Sequence, residues 1–291
     1  MHDLRLHWGN SLKQELIKLR PVGSKLYSDL VSEKVEVDYR SEEIQIAYVL
    51  RYFPVYWEPA YRALNIIKEK QSEGINFSKL NFGVFGAGPA PEIIGITYFT
   101  EEKYERIQCD LYDQFSEEWD FARETFIYPK AREKFLVNNL KLQIARQAAD
   151  FSTSFKLADS RKKDFYNFVT LQNCLNEFRS KTKIEDFKSN LKTILESIKP
   201  LGYLVITDRS YKNNSRSGYG LIDKTIDEIQ DITSTRCETI DKAEHIEYRN
   251  DEEIPNILLN YFDKPYQKAD LDRMIYTKTN RYTQLILQKI K

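Results

Sequence analysis

The order of apolar runs predicts an α/β fold: a mostly parallel sheet with helices on both faces and a helical cap ahead of it. Three observations carry this. A strand–glycine–helix junction stands at residues 81–92, apolar strands follow near 110, 168 and 205, and amphipathic helical stretches separate them. At 291 residues the chain can hold one large core plus a smaller attachment. The cap is expected over residues 1–75 and the sheet domain over 76–291.

The junction reads Asn81-Phe82-Gly83-Val84-Phe85-Gly86-Ala87-Gly88-Pro89-Ala90-Pro91-Glu92. Gly86 and Gly88 can adopt backbone angles closed to other residues, and they let a ligand approach the main chain. Pro91 suits the first turn of a helix, where a missing N–H costs nothing. Free amides at that helix start are expected to face a ligand, with the positive end of the helix dipole behind them. A phosphate-binding P-loop needs Gly-Lys-Ser/Thr after the glycines, and no lysine stands here. A dinucleotide loop needs a third glycine where Pro91 stands.

The next apolar strand, Ile107 to Asp113, ends in an acid, with Asp110 and Asp113 as the two candidates. A helix is expected over Glu117–Glu124. Leu142 to Phe151 reads as a third strand with an acidic turn. Asp164 to Asn173 is a mostly apolar run closing in two amides, as a buried parallel strand should be. Apolar residues at 187, 191, 194, 195 and 198 have helical spacing with one buried face. Lys199-Pro200-Leu201-Gly202 then stops that helix and reverses the chain into Tyr203–Asp208. Tyr282–Lys289 is a final strand, with Arg273–Thr277 as its candidate partner.

These elements, in this order, resemble the class I S-adenosylmethionine-dependent methyltransferases over about residues 76–291. The resemblance rests on the Gly86–Gly88 loop, on Ala122-Arg123 nine and ten residues after Asp113, and on the helix, Lys199-Pro200-Leu201-Gly202 turn and strand. It implies a Rossmann-like sheet of seven strands, the last one antiparallel and inserted between the fifth and sixth. It implies S-adenosylmethionine as cofactor, held by Gly86, Ala87, Gly88, Pro89, Asp113, Asp150, Phe151, Gln172 and Asn173. Asp113 would accept from the ribose hydroxyls and Asp150 from the adenine amino group, with Phe151 against the ring. Asp150 has a second reading, as the cap of the turn before Ser152-Thr153-Ser154. Asn167 departs from the family, which often has Asp there.

Ahead of the sheet, Ser11-Leu12-Lys13-Gln14 and Ser41-Glu42-Glu43 read as helix starts. The second of these helices ends before Pro54. A third helix opens at Pro59, with Ala60, Ala63, Leu64 and Ile67 on one face. Tyr52, Phe53, Tyr56, Trp57 and Tyr61 form either a packing surface or a wall over the cofactor. Tyr48, Arg51, Pro54, Tyr61, Arg62 and Leu64, followed by the glycine loop, resemble the lead-in of small-subunit ribosome-assembly methyltransferase-like proteins. Those carry cysteines for an iron–sulfur cluster, a pattern that three scattered cysteines do not reproduce.

Lysine plus arginine and aspartate plus glutamate each total 44, so no global charge drives the chain onto nucleic acid or an anionic membrane. Residues 151–216 nonetheless carry 13 basic against 7 acidic residues. Two readings stand for this excess: a solvated charged surface, or an RNA or ribonucleoprotein acceptor docked on Arg161, Lys162, Lys163, Lys212 and Arg216. Cys109, Cys174 and Cys237 make no paired motif, which suits a reducing, cytoplasmic setting. No metal site is visible, and no apolar run approaches a membrane span.

Methyl transfer is an in-line displacement at an activated sulfonium, so it needs no universal catalytic residue, and none is assigned. Leu171-Gln172-Asn173-Cys174-Leu175 lacks the proline and aromatic of adenine amino-group methylation. Cys174 reads as a buried structural cysteine rather than a nucleophile. Three functions stand: a methyltransferase acting on RNA or ribonucleoprotein, one acting on a small molecule, and a non-catalytic cofactor-binding assembly or sensing subunit.

Overall fold

The computed structural model describes residues 39–40, 45, 56–70, 79–99, 106–128, 131, 141–175, 178, 182–209, 229, 237–249 and 279–290. Seven strands form one sheet: β1 (Lys79–Phe85), β2 (Arg106–Asp113), β3 (Lys141–Ala148), β4 (Tyr166–Gln172), β5 (Ile198–Arg209), β6 (Cys237–Arg249) and β7 (Thr279–Lys289). Their order is β3-β2-β1-β4-β5-β7-β6. β1 to β5 pair in parallel, and β7 runs antiparallel between β5 and β6. The predicted fold class, a Rossmann-like methyltransferase sheet of seven strands with the last antiparallel, is the one observed.

Strand alternation divides the core between two faces. Leu80, Phe82 and Val84 of β1 pack with Ile107, Cys109 and Leu111 of β2 on one face. That face is covered by α1 (Glu58–Lys70) and α2 (Glu92–Phe99). Leu204 and Ile206 of β5 and Leu285 and Leu287 of β7 turn to the other face. There they meet Phe187, Leu191, Ile194 and Leu195 of α4 (Ile184–Ser197). Burial of β1, β2 and β4 on both faces explains their near-continuous apolar sequences.

The expected apolar face of α1 is the buried one: Ala60, Ala63, Leu64 and Ile67. α1 and α2 approach closely at Gly95, where a Cβ would lie 2.4 Å from the carbonyl oxygen of Trp57. Trp57 and Tyr61 pack against this core with ring centroids 5.8 Å apart. Arg62 donates to Gln284 Oε1 at 2.6 Å, and Leu64 is buried. Tyr61, Arg62 and Leu64 are thus accounted for by packing of α1 on the sheet. The remainder of the ribosome-assembly match, Tyr48, Arg51 and Pro54, lies outside the described residues, as do the two helix starts before it.

Two expectations change. β7 pairs with Cys237–Arg249, not with 273–277, which lies outside the described residues. β6 escaped notice because it is the outer strand, rich in Glu, Asp and Lys and broken by register shifts near Ile240 and near Glu244. The helix expected over 117–124 is a turn, then α3 (Asp120–Ala122), then a π-helical turn over Arg123–Ile127. Asn167 stands at the amino end of β4, where its Oδ1 accepts from Asn81 N at 3.0 Å and ties two strands together.

The Lys199–Gly202 reversal bulges opposite Asn167, between the pairs Tyr166–Ile198 and Phe168–Tyr203. Leu201 has φ 64, and a Cβ on Gly202 would meet Ile198 at 2.8 Å. No described helix is long and apolar enough to cross a membrane.

Candidate cofactor site

A cleft opens where the strand order reverses, at the carboxyl ends of β1, β2 and β4. It holds about 780 Å³ of empty space, counting its solvent-open mouth. Gly86 and Gly88 line it from the loop after β1, and Asp113, Gln114, Phe115 and Trp119 from the end of β2. Phe151 and Ser152 follow β3, and Gln172, Asn173, Cys174, Phe178 and Thr182 close β4. Tyr39 comes from the segment ahead of the sheet. Among these lining residues Asp113 is the one charged side chain.

The glycine loop is built as its residue types require. Gly86 takes φ 69 and Gly88 φ 48. A Cβ on Gly86 would lie 2.6 Å from the Cβ of Cys174 and 2.8 Å from its Sγ. Cys174 donates its thiol hydrogen to the Phe85 carbonyl at 3.4 Å, so this cysteine closes against the loop as a structural thiol. Ala90 also lies in the left-handed region, at φ 59.

The loop's amides are not free. Gly86 and Ala87 both donate to the Tyr112 carbonyl, at 2.8 and 3.0 Å. Gly88 N donates to Asp113 Oδ2 at 2.8 Å. Ala90 N donates to Ala87 O at 2.7 Å, Ile93 N to Ala90 O and Ile94 N to Pro91 O. Pro89 has no N–H, so every N–H of the loop from 86 to 90 is occupied. The expectation of free amides facing a ligand is corrected: the turn satisfies its own donors, and a carboxyl sits at the helix start.

Asp113 Oδ1 accepts from Phe115 N at 2.9 Å, so its carboxyl joins the β2 turn to the glycine loop. Arg123 is fully buried and donates to Gly88 O through Nε at 2.9 Å and Nη2 at 2.5 Å, and to Ser116 O at 2.6 Å. Burial pushes the Asp113 carboxyl above its usual range, against the pull of the Gly88 and Phe115 amides and the Arg123 charge. Burial likewise pushes Glu92 up to about 8, and its Oε2 has no hydrogen-bond partner. Under the loop, then, lie two acids and one arginine with little water to screen them.

Six of the nine expected residues line the cleft: Gly86, Gly88, Asp113, Phe151, Gln172 and Asn173. Ala87 and Pro89 turn into the protein and are buried. Asp150 does not reach the cleft. Its Oδ1 accepts from Ser152 N at 2.9 Å and Ser152 Oγ at 2.6 Å, so it caps the turn. Phe151 stacks on Phe178 at 4.1 Å. Gln172 donates to the Tyr56 carbonyl and anchors the start of α1. Asn173, at φ 54, has both amide atoms buried without a hydrogen-bond partner.

The basic residues fare differently. Arg161 is bound to Asp110, which is fully buried on β2 and also accepts from Tyr166 OH at 2.8 Å. Arg161 is thus tied to a buried carboxylate on β2, with its side chain partly exposed. Lys162 bonds Asp159 on the exposed surface. Lys212 and Arg216 lie outside the described residues. Tyr56, Trp57 and Tyr61 are not among the lining residues. Among the described residues no group of His, Cys, Asp and Glu could hold a metal.

Sequence reasoning missed Phe115, Trp119, Phe178 and Tyr39. The first three follow strand ends closely enough to have been sought, whereas nothing local marks Tyr39.

No family model matches the sequence, and a comparison with curated proteins finds no match. Among solved structures, one similar chain is a SAM-dependent methyltransferase from Aquifex aeolicus, at 12% identity and TM-score 0.41, covering 80% of this chain and 92% of that one. A second is the N-methyltransferase NodS from Bradyrhizobium japonicum, at 11% identity and TM-score 0.42, covering 79% and 95%. A third is a TehB-like SAM-dependent methyltransferase from Corynebacterium glutamicum, at 9% identity and TM-score 0.43, covering 92% and 99%. What these chains share with this one is a fold, here a Rossmann-like α/β sheet with β7 antiparallel between β5 and β6.

Proposed function

We propose that this chain is an S-adenosylmethionine-dependent methyltransferase that holds its cofactor in the cleft at the ends of β1, β2 and β4. The observation that carries the reading is the polarity of that cleft. Its glycine loop offers no N–H, Asp113 is the one charged side chain among the described lining residues, and aromatic rings supply much of the wall. Among the described lining residues a phosphate would find no cation and no free loop amide. A ligand bringing hydroxyl donors, a flat ring and positive charge meets acceptors and aromatic faces instead.

The residues fit that ligand in detail. Asp113 keeps lone pairs after its two amide bonds, enough to accept from a vicinal diol. Phe151 and Phe178 form an apolar, stacked edge for a base. Asp150 would reach an adenine amino group only by releasing Ser152, so it is left out of the site. The bound cofactor supplies an activated methyl group. The chain's share is to orient it, exclude water, and hold an acceptor near the end of β4, where Asn173 has an unsatisfied amide.

A small acceptor suits this cleft better than RNA. Arg161 is committed to Asp110, and no cation is among the lining residues. The reading is tested by calorimetry with S-adenosylhomocysteine and with NAD, followed by methyl-labelled turnover on extract separated into RNA, protein and small molecules. Binding of NAD in place of S-adenosylhomocysteine rejects it. Cofactor binding with no turnover supports the non-catalytic sensing subunit, and label in RNA restores the nucleic-acid acceptor.

A further inference from the structure

We infer that Tyr39, ahead of the sheet, is a ligand-contacting residue of the cofactor site and that Gln45 is the positioning residue that holds it there. The inference rests on the cofactor reading above.

Tyr39 lines the cleft, and its ring lies 5.1 Å from that of Trp119 and 6.0 Å from that of Phe115. Trp119 in turn fills the space beside Gly88, 3.7 Å from where a Cβ would stand. One aromatic wall therefore runs from the glycine loop outward, and its last ring comes from a residue with no motif around it.

Gln45 explains why that ring stays in place. It is 1% exposed, and its side-chain amide makes three bonds. Nε2 donates to Tyr39 O at 2.9 Å and to Glu118 O, while Oε1 accepts from Ala122 N at 3.0 Å. Two of these partners lie on the turn and short helix after β2, the same stretch that carries Phe115 and Trp119. Arg40 and Glu118 add an ion pair at 3.6 Å. A buried amide that spends three of its four hydrogen-bonding positions joining two distant backbone segments fixes their relative position more than it adds stability. What it fixes is the face that Tyr39 turns to the cleft.

The test uses the full chain with S-adenosylhomocysteine as probe, with affinity by calorimetry and ligand-free melting measured alongside. Tyr39→Ala should weaken binding about tenfold while leaving the ligand-free melting temperature nearly unchanged. Tyr39→Phe, which keeps the ring, should bind like wild type. Gln45→Ala should weaken binding to a similar degree, and the double variant no further than the weaker single, because both act through one ring. Equal affinity of wild type and Tyr39→Ala overturns the inference and leaves the cofactor reading standing. Additive losses in the double variant overturn the role given to Gln45. Failure of wild type to bind the probe overturns both the inference and the reading beneath it.

Discussion

Arg123 grips the carbonyl of Gly88 with two hydrogen bonds, 2.9 Å from Nε and 2.5 Å from Nη2, from a position with no solvent exposure. A loop that closes its own amides thus leaves a carbonyl, and a buried guanidinium meets it. Arg123→Met should destabilise the chain by about 3–5 kcal/mol, since it leaves the Gly88 and Ser116 carbonyls without their buried donor. Arg123→Lys should recover only part, because an ammonium cannot reproduce the planar fork. Urea unfolding measures both. A stable Arg123→Met chain would mean that this charge is not needed under the loop.

Glu92 makes stability depend on pH. Burial raises its carboxyl from 4.5 to about 8, so the folded chain keeps a proton that the unfolded chain releases. Stability conferred by the protonated acid is complete at low pH, falls as pH rises above about 4.5, and levels off near 8. At about 1.4 kcal/mol per pH unit the loss is capped at about 5 kcal/mol. Glu92→Gln should therefore be more stable than wild type at pH 8 and nearly equal near pH 4.5. Parallel denaturation curves across that range would refute the buried neutral acid.

The two loop glycines should respond differently to alanine. A Cβ on Gly86 meets Cys174 at 2.6 Å, whereas one on Gly88 stands 3.7 Å from Trp119 in ordinary contact. Gly88→Ala should cost about 1–2 kcal/mol, the strain of a left-handed alanine. Gly86→Ala should cost more, and Gly86→Ala combined with Cys174→Ala should recover part of the difference. Thermal unfolding of the four chains tests this, and equal losses at both glycines would contradict it.

Asp113 ties the β2 turn to the glycine loop, and in the function proposed it also accepts from the ligand. Asp113→Ala is expected to weaken S-adenosylhomocysteine binding by about 1.5–3 kcal/mol, the cost of losing a charged acceptor. Asp113→Asn keeps one acceptor oxygen and should lie between. Calorimetry giving wild-type affinity for Asp113→Ala would remove the residue from the cofactor site.

What the sequence determined by itself was the parallel half of the sheet and its switch point. β1, β2, β4 and β5 are buried on both faces, so each appears as an apolar run. Gly86 and Gly88 were legible because a left-handed turn leaves few other choices. β6 was not legible: an edge strand with one exposed side needs no apolar run, and only pairing with β7 makes it a strand. Nor could local pattern separate Asp113 from Asp110, since each ends up buried and bonded, one at the cleft and one to Arg161. Tertiary structure alone decided that Asp150 turns to Ser152 and that the loop amides are filled by Tyr112 and Asp113. It alone brought Tyr39 to the cleft, through a glutamine bonded 73 and 77 residues away. Backbone propensity and burial act over a few residues and leave marks in sequence, whereas a hydrogen bond between distant segments leaves none until the chain has closed.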